Sequence, residues 1–240
     1  MNWSASWKPL SSMKRFNTQA IVLTRTDYGE ADRILTLLTP DHGKVKAIAK
    51  GVRKSKSKLA GGIELFSISE ISFIVGRGEI KTLISTRLIK HFGSIVKDLN
   101  RTNTAYEIIK TLNKATEDQP EEAYFKLLEQ AFQALDNHNI SANLINTWFA
   151  AQLLKLAGHS PNLLTEKGGP RLKAGRRYDF DFDSMVFQPG KKFNSDQIKF
   201  LRLLFGSSQL NAIQKVQGSD LLASQLQASL RLMLQNFVRF

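Results

Sequence analysis

The chain has 240 residues, of which 42% are hydrophobic and 23% are charged, a composition typical of a globular protein with one large or two small domains. It contains no cysteine, which excludes disulfides, iron–sulfur clusters, thiolate zinc sites and a cysteine nucleophile. With 34 Lys and Arg against 21 Asp and Glu, the net charge of +13 favours an anionic partner, nucleic acid above all. No apolar run approaches the roughly 20 residues that span a bilayer, so no membrane contact is expected.

The positive charge is concentrated in the first part of the chain. Residues 1–93 carry 16 bases and seven acids, whereas residues 94–240 carry 18 bases and 14 acids. The hydrophobic period also changes near residue 93, from alternating to helical. We therefore predict an N-terminal extension over residues 1–13, with Met13 as an alternative start, then one domain over 14–93 and a second over 94–240.

Five short strands are predicted before residue 93. They cover residues 20–24, 34–38, 44–50, 63–75 and 80–88, with turn sequences between them. The apolar phase of the fourth strand slips between Leu65 and Phe73, which we interpret as a bulge or sharp coil in one long strand. Five strands that close on themselves within such a short segment predict a small barrel of the oligonucleotide-binding (OB) kind.

After residue 93 the apolar side chains recur at helical spacing. Helices are predicted around residues 106–112, from Pro120, from the N-cap Ser141 to Gly158, and from about Ser219 onward. Residues 161–190 carry no helical period and predict an irregular insertion with a short hairpin. The predicted fold class is therefore α+β, an OB barrel followed by a mainly helical domain with an irregular insertion.

The densest charge lies between residues 44 and 58, which contain seven bases and no acid. The bases are Lys44, Lys46, Lys50, Arg53, Lys54, Lys56 and Lys58. Because like charges at this density repel one another and attract phosphates, we predict that they contact nucleic acid, with Arg25 and Arg33 extending the surface. A solvated charged surface is the alternative, and Arg33 has the further alternative of a local ion pair with Asp32 or Glu30.

Aromatic side chains are scarce within this basic segment. Tyr28 and Phe66 are the nearest in sequence, and Phe66 is expected in the hydrophobic core. Because single-strand binders usually add aromatic stacking to their charge, this scarcity favours phosphate contacts that tolerate any base sequence.

The sequence offers little support for catalysis, and we predict no enzyme, no catalytic residue and no metal site. The four histidines lack metal-ligand spacing, and there is no Walker loop for ATP. His42 follows Asp41 inside a turn sequence, where a plain turn is favoured over a catalytic dyad. Asp179, Asp181 and Asp183 would align on one strand face, so a metal-dependent nuclease is a hypothesis, but a solvated hairpin edge is favoured.

Several segments resemble the RecO family of bacterial DNA repair proteins. In the first domain they are residues 20–23 (AIVL), 28–35 (YGEADRIL), 38–40 (LTP), 42–44 (HGK), 47–51 (AIAKG) and 59–62 (LAGG). In the helical domain, residues 156–161 (LAGHSP) followed by Leu163 resemble the same family.

The resemblance implies an OB fold with a mainly helical domain, and a recombination mediator acting in the cytoplasm at the nucleoid. Such proteins bind single- and double-stranded DNA, anneal complementary strands and help load RecA onto strands coated by single-stranded-DNA-binding protein (SSB). The implied protein partners are RecR and the acidic SSB tail, for which Arg101, Lys110 and Lys126 are candidate contacts in the helical domain. An OB-fold RNA-binding module is the alternative function.

The resemblance has one departure, at a zinc site that many family members carry. Their CxxC pair corresponds here to Thr165 and Gly168, and the chain has no cysteine at all. We therefore expect no zinc and no other cofactor, and an insertion held instead by packing and hydrogen bonds.

Overall fold

The protein is described by a computed structural model that covers residues 14–75, 78–116 and 121–237. Its contacts divide it into two compact units, the first consisting mainly of residues up to His91 and the second mainly of residues from Phe92. We call them the barrel unit and the helical unit. The predicted extension over residues 1–13 and the predicted helix start at Pro120 lie outside the described residues.

Five strands form the barrel unit. They are β1 (Arg15–Tyr28), β2 (Asp32–Thr39), β3 (Gly43–Ala49), β4 (Ser67–Ile74) and β5 (Lys81–His91). They close in the order β1-β2-β3-β5-β4, with β4 returning to β1, and only the β3–β5 pairing in this barrel is parallel. This is the OB topology, so the predicted fold class is confirmed.

The core of the barrel follows from the alternation of side chains along its strands. Val45, Ala47 and Ala49 of β3 are buried, whereas Lys46 between them is exposed, as the sequence predicts. They join Leu35 and other inward-facing residues in one hydrophobic cluster. The same alternation therefore buries one face of β3 and presents lysine on the other.

The fourth strand differs from its prediction. It begins at Ser67, after a 3₁₀ turn over Ala60–Gly62 and a left-handed residue, Phe66, with φ of 55°. The slip in apolar phase therefore arises because the chain turns at Phe66, and the predicted single strand over 63–75 is wrong. Phe66 itself is 2% exposed, which confirms its place in the core.

Six α-helices are described in the helical unit. They are α1 (Leu99–Ala115), α2 (Glu122–Asp136), α3 (Ala142–Leu156), α4 (Ser195–Gly206), α5 (Leu210–Gln214) and α6 (Ser219–Phe237), and a 3₁₀ turn over Ile95–Lys97 precedes α1. The predicted N-cap is confirmed, since the Ser141 hydroxyl accepts from the Leu144 N–H at 3.2 Å. Helix α3 is buried on nearly all sides because it packs against α1, α4 and α6. No helix within the described residues is both long and apolar enough to cross a bilayer.

Arg101 on α1 is a buried structural residue, so its prediction as a contact for an acidic tail is wrong. It is 6% exposed, and its guanidinium donates to the carbonyl oxygens of Leu135 at 2.8 Å and Ile140 at 2.7 Å. Further bonds reach the carbonyls of Asn137 and His138, both at 3.2 Å. These carbonyls lie at and beyond the end of α2, where a positive charge stabilises the unpaired acceptors of the helix.

The insertion forms a three-stranded sheet, where the sequence predicted only loops and a hairpin. The hairpin is present as β7 (Tyr178–Asp181) and β8 (Val186–Pro189), and β6 (Asn162–Glu166) adds a parallel strand beside β8. Helix α4 was also not predicted. Its signal was present in Asn194, whose side chain accepts from the Gln197 N–H at 2.9 Å while the Gln197 side chain accepts from the Asn194 N–H.

Candidate nucleic-acid interface

The predicted bases lie on β3 and on the loop that follows it, which we call the basic loop, residues 50–58. Lys46, Lys50, Arg53, Lys54, Lys56 and Lys58 are exposed, and Lys44 is half-buried. Strand β3 therefore places two lysines on the outer surface of the barrel, and the basic loop adds the other bases beyond its end.

The start of the basic loop is fixed to the turn between β1 and β2. The Gly51 N–H donates to Asp32 Oδ1 at 2.7 Å, and the Arg53 N–H donates to the Ala31 carbonyl at 2.9 Å. Between them, Val52 is 3% exposed and belongs to the barrel core. Gly51 has a φ of +64°, a conformation that other residues rarely adopt. The loop is therefore held in one path at its base.

The end of the basic loop is fixed to β5. The chain passes through a 3₁₀ turn in which Gly62 lies so close to Thr86 that an added Cβ would be 2.3 Å from the Thr86 Cβ. The Thr86 hydroxyl also donates to the Leu59 carbonyl at 3.1 Å. Anchors at both ends hold the lysines between them on a short, defined segment, which lowers the conformational entropy lost when they bind.

The three arginines of the predicted set are paired with acids. Asp27 accepts from Arg33 Nε at 2.8 Å and lies 3.5 Å from Arg53 Nε, while Arg25 Nη1 lies 3.2 Å from Glu64. The hydrogen bond from Arg33, with the positive charge of Arg53, holds the pKa of Asp27 below its ordinary value. The prediction of a local ion pair between Arg33 and Asp32 or Glu30 is therefore wrong about the acid, which is Asp27. Asp32 instead accepts a hydrogen bond from the Gly51 N–H of the basic loop.

The lysines of the predicted set other than Lys44 differ from the three arginines, because the structure describes no acid paired with them. Lys46, Lys50, Lys54, Lys56 and Lys58 form no ion pair with any acid in the part of the chain that the structure describes. Their side chains therefore present uncompensated positive charge to the solvent, on one strand and one anchored loop. Such charge attracts phosphates, because binding releases the counterions condensed on a nucleic acid.

A cavity beside β3 brings aromatic rings to Lys44 and Lys46, which the sequence did not predict. It measures about 540 Å³ and is lined by Phe16, His42, Lys44, Val45, Lys46, Phe73, Val75, Glu79 and Lys81. The Phe16 ring stacks on Phe73 with centroids 5.5 Å apart, and both meet the His42 ring edge-on, at 4.8 and 5.6 Å. Alternation along β1 and β4 does place Phe16 and Phe73 inward, but their meeting with His42 depends on strand register.

The predicted alignment of Asp179, Asp181 and Asp183 does not form a cation site. Asp181 accepts from Lys167 Nζ at 2.6 Å and from the Ser184 hydroxyl at 2.7 Å, and these bonds hold its pKa far below the ordinary value. Asp179 accepts from the Lys191 and Lys192 N–H groups. Within the described residues no cluster of His, Asp and Glu has the arrangement of a metal site, so the nuclease hypothesis has no support here.

The residues at the family zinc position also do not fit a metal ion. Thr165 accepts a hydrogen bond from the Asn162 amide at 2.7 Å, and Gly168 has no side chain to donate. Tyr178, which is 1% exposed, takes a central place in the insertion instead. Its hydroxyl donates to the buried Glu166 at 3.1 Å and accepts from the Lys173 N–H at 2.7 Å.

An OB barrel that presents lysines on one strand and an adjoining anchored loop defines an OB-fold protein with a positively charged surface. Comparison with known families agrees over most of the chain. Residues 13–92 match the model for the N-terminal domain of recombination protein O, and residues 96–238 match the model for its C-terminal domain. The chain therefore belongs to the RecO family, which confirms the resemblance.

Individual relatives share about a third of the aligned residues. The DNA repair protein RecO of Dehalococcoides mccartyi is 39% identical over 149 residues, which are 62% of this chain and 58% of that protein. RecO of Bifidobacterium adolescentis is 36% identical over 155 residues, 63% of this chain and 62% of that protein. RecO of Rubrobacter xylanophilus is 31% identical over 169 residues, 69% of this chain and 67% of that protein. The chain thus spans about three fifths of the length of the first two relatives.

Proposed function

We propose that this protein is a DNA repair and recombination mediator that binds single- and double-stranded DNA and anneals complementary strands. The observation that carries the proposal is that Lys46 on β3 and the lysines of the anchored basic loop have no paired acid among the described residues, in a chain of the RecO family. The assigned contacts are those predicted from the sequence: Arg25, Arg33, Lys44, Lys46, Lys50, Arg53, Lys54, Lys56 and Lys58.

The proposed mechanism is electrostatic and involves no catalytic residue. Two DNA strands repel each other through their phosphates, and bound lysine side chains reduce that repulsion while raising the local strand concentration. Lysine contacts to phosphate leave the pairing edges of the bases free. The arginines contribute less, because Asp27 and Glu64 already compensate part of their charge.

The partners follow from family membership and are proposals here. They are RecR, the acidic tail of SSB and, indirectly, RecA, which the protein would help to load onto SSB-coated strands in the cytoplasm at the nucleoid. After Arg101 is excluded as a buried residue, Lys110 and Lys126 remain the named candidates for contact with the SSB tail.

The test is annealing of two labelled complementary oligonucleotides, bare and SSB-coated, at low and high salt. The loop variant carries Lys50→Ala, Lys54→Ala and Lys56→Ala. The control variant carries Lys97→Ala, Lys215→Ala and Arg231→Ala, which remove the same charge from exposed positions of the helical unit. We expect salt-sensitive annealing that the control keeps and the loop variant loses.

Two results would count against this function. Equal annealing by the loop and control variants would remove the basic loop from the mechanism. Binding of RNA in preference to a DNA oligonucleotide of matched sequence, without annealing, would favour the RNA-binding alternative.

A further inference from the structure

The insertion of the helical unit carries a second set of exposed bases. They are Arg171, Lys173, Arg176, Arg177, Lys191 and Lys192, which we call the insertion cations. The first four lie within seven consecutive positions that contain no acid. Neither the family match nor the predicted DNA contacts assign a role to them.

Hydrogen bonds bring two separate segments of the insertion cations together. The Gly190 N–H donates to the Arg177 carbonyl at 3.1 Å, and Arg177 Nη1 donates to the Lys191 carbonyl at 3.2 Å. The pair Arg176 and Arg177 therefore lies beside the pair Lys191 and Lys192, although Lys191 comes 14 positions after Arg177 in the sequence.

The segment that carries these bases is held on a rigid support. The Lys173 N–H donates to the buried Tyr178 hydroxyl, and the Gly175 N–H donates to Ser195 Oγ at 3.0 Å, at the start of α4. Beneath it, the ring of Phe187 packs edge-on against Tyr178 and Phe193. A support of this kind positions the bases before any ligand arrives.

Among the described residues, the acids of the insertion form no salt bridge with the side chains of these bases. Glu166 is buried against Tyr178, and Asp181 pairs with Lys167. The main-chain N–H groups of Lys191 and Lys192 donate to Asp179 and lower its pKa, and the charges of the two lysines lower it further, so Asp179 compensates part of their charge. Across the described residues, none of the six insertion cations forms an ion pair with a carboxylate.

We propose that the insertion cations bind the phosphate backbone of a nucleic-acid strand, as a second binding surface in addition to the basic loop. Three of the six are arginines, whose planar guanidinium matches the geometry of phosphate oxygens. Four of them lie at positions 171, 173, 176 and 177 of one irregular stretch, so they place charge at intervals along the chain, as a run of phosphates requires. That the bound strand is the second strand of an annealing reaction rests on the proposed function.

The test compares three variants that each remove three positive charges. The insertion variant carries Arg171→Ala, Lys173→Ala and Arg176→Ala, and it is measured beside the loop and control variants defined above. Fluorescence anisotropy with a labelled oligo-dT of thirty nucleotides gives the affinity for single-stranded DNA at several salt concentrations. Thermal unfolding followed by circular dichroism verifies that all three variants are folded.

We expect the insertion variant to bind roughly five- to tenfold more weakly than the control at low salt, with a salt slope lower by about 0.7 for each phosphate that it no longer neutralises. The same affinity and slope as the control would overturn the proposal. A weaker affinity with an unchanged slope would also overturn it, since the variant would then neutralise as many phosphates as the wild type.

Two further outcomes distinguish this proposal from binding of an acidic protein and from the proposed role of the basic loop. If labelled poly-glutamate binds the wild type but not the insertion variant, while DNA binding is unchanged, the surface binds an acidic protein and the proposal is wrong. If the loop variant binds and anneals like the control while the insertion variant no longer binds DNA, the proposed role of the basic loop fails and the insertion surface stands.

Discussion

The main-chain N–H of Gly51 donates a 2.7 Å hydrogen bond to the carboxylate of Asp32, which joins the basic loop to the turn between β1 and β2. Two acids of this region, Asp32 and Asp27, therefore form different kinds of interaction. Asp32 fixes the path of the loop, whereas Asp27 compensates the charge of Arg33 and Arg53. Among the residues that the structure describes, no acid is paired with the lysines of the loop, and both ends of their segment are fixed to the barrel.

Replacing Asp32 tests whether the anchored path matters for binding. We expect Asp32→Ala to accelerate hydrogen exchange of the Gly51 amide and to lower the free energy of unfolding by about 1 kcal/mol, because it removes a hydrogen bond to a charged acceptor. DNA affinity should fall relative to Asp32→Asn, which removes the same charge but keeps an oxygen acceptor. Amide exchange and anisotropy measure the two effects, and equal affinities of the two variants would contradict the role of the anchor.

Replacing Asp27 should strengthen DNA binding. In Asp27→Asn, Arg33 and Arg53 lose their acid, so we expect roughly two- to threefold tighter binding of single-stranded DNA and a steeper salt dependence. Glu70→Gln is the control, since its ion pair with Arg87 lies outside the predicted surface. Anisotropy titrations at neutral pH measure the DNA affinity of both variants. An equal gain in affinity in Asp27→Asn and Glu70→Gln would mean that any lost negative charge strengthens binding, wherever it lies.

The pH dependence of this ion-pair cluster has a definite sign. The pKa of Asp27 is lowered in the folded protein, so its ion pairs contribute stability above the unfolded-state pKa and lose it as the pH falls through the folded-state value. Arg33 and Arg53 therefore lose their ion pairs with Asp27 only at acidic pH, when the carboxylate is protonated. We expect the wild type to approach the affinity of Asp27→Asn as the pH is lowered through this range, and a constant gap between them would contradict the assignment.

Gly62 should tolerate no side chain. In Gly62→Ala the new Cβ would lie 2.3 Å from the Thr86 Cβ and 2.4 Å from its hydroxyl, which forces β5 and the turn apart. We expect a decrease of about 2 kcal/mol in unfolding free energy, measured by urea denaturation. Gly61→Ala is the control, because nothing lies within 4 Å of its added Cβ. Equal stability of the two variants would show that the chain relaxes around the new methyl group without cost.

Arg101 should be essential for the helical unit. Arg101→Met leaves four carbonyl oxygens without their charged donor, so we expect a decrease of about 3 kcal/mol in unfolding free energy. The exposed Arg231→Met should change stability little. Urea denaturation measures both, and a stable Arg101→Met protein would show that water replaces the guanidinium at the end of α2.

Much of the fold was predictable because its signals are local. Alternation of Val45, Ala47 and Ala49 with lysine predicts β3 and its two faces, and the hydroxyl of Ser141 predicts the start of α3. The same local signals fail at Phe66. The apolar run around it has the pattern of one continuous strand, but Phe66 is left-handed and β4 begins only after it. Strand β6 was missed because its parallel pairing with β8 leaves no short-range pattern.

The sequence by itself determined that the barrel would exist, that its lysines would be concentrated at residues 44–58, and that no thiolate could hold zinc. Only the tertiary structure decided which of these bases are compensated, because Asp27 reaches Arg53 and Glu64 reaches Arg25 across turns and strands. It also decided that Arg101 is buried and that Arg177 lies beside Lys191. Charge and hydrophobic period are properties of neighbouring residues, whereas ion pairs and burial depend on segments that the folded chain brings together.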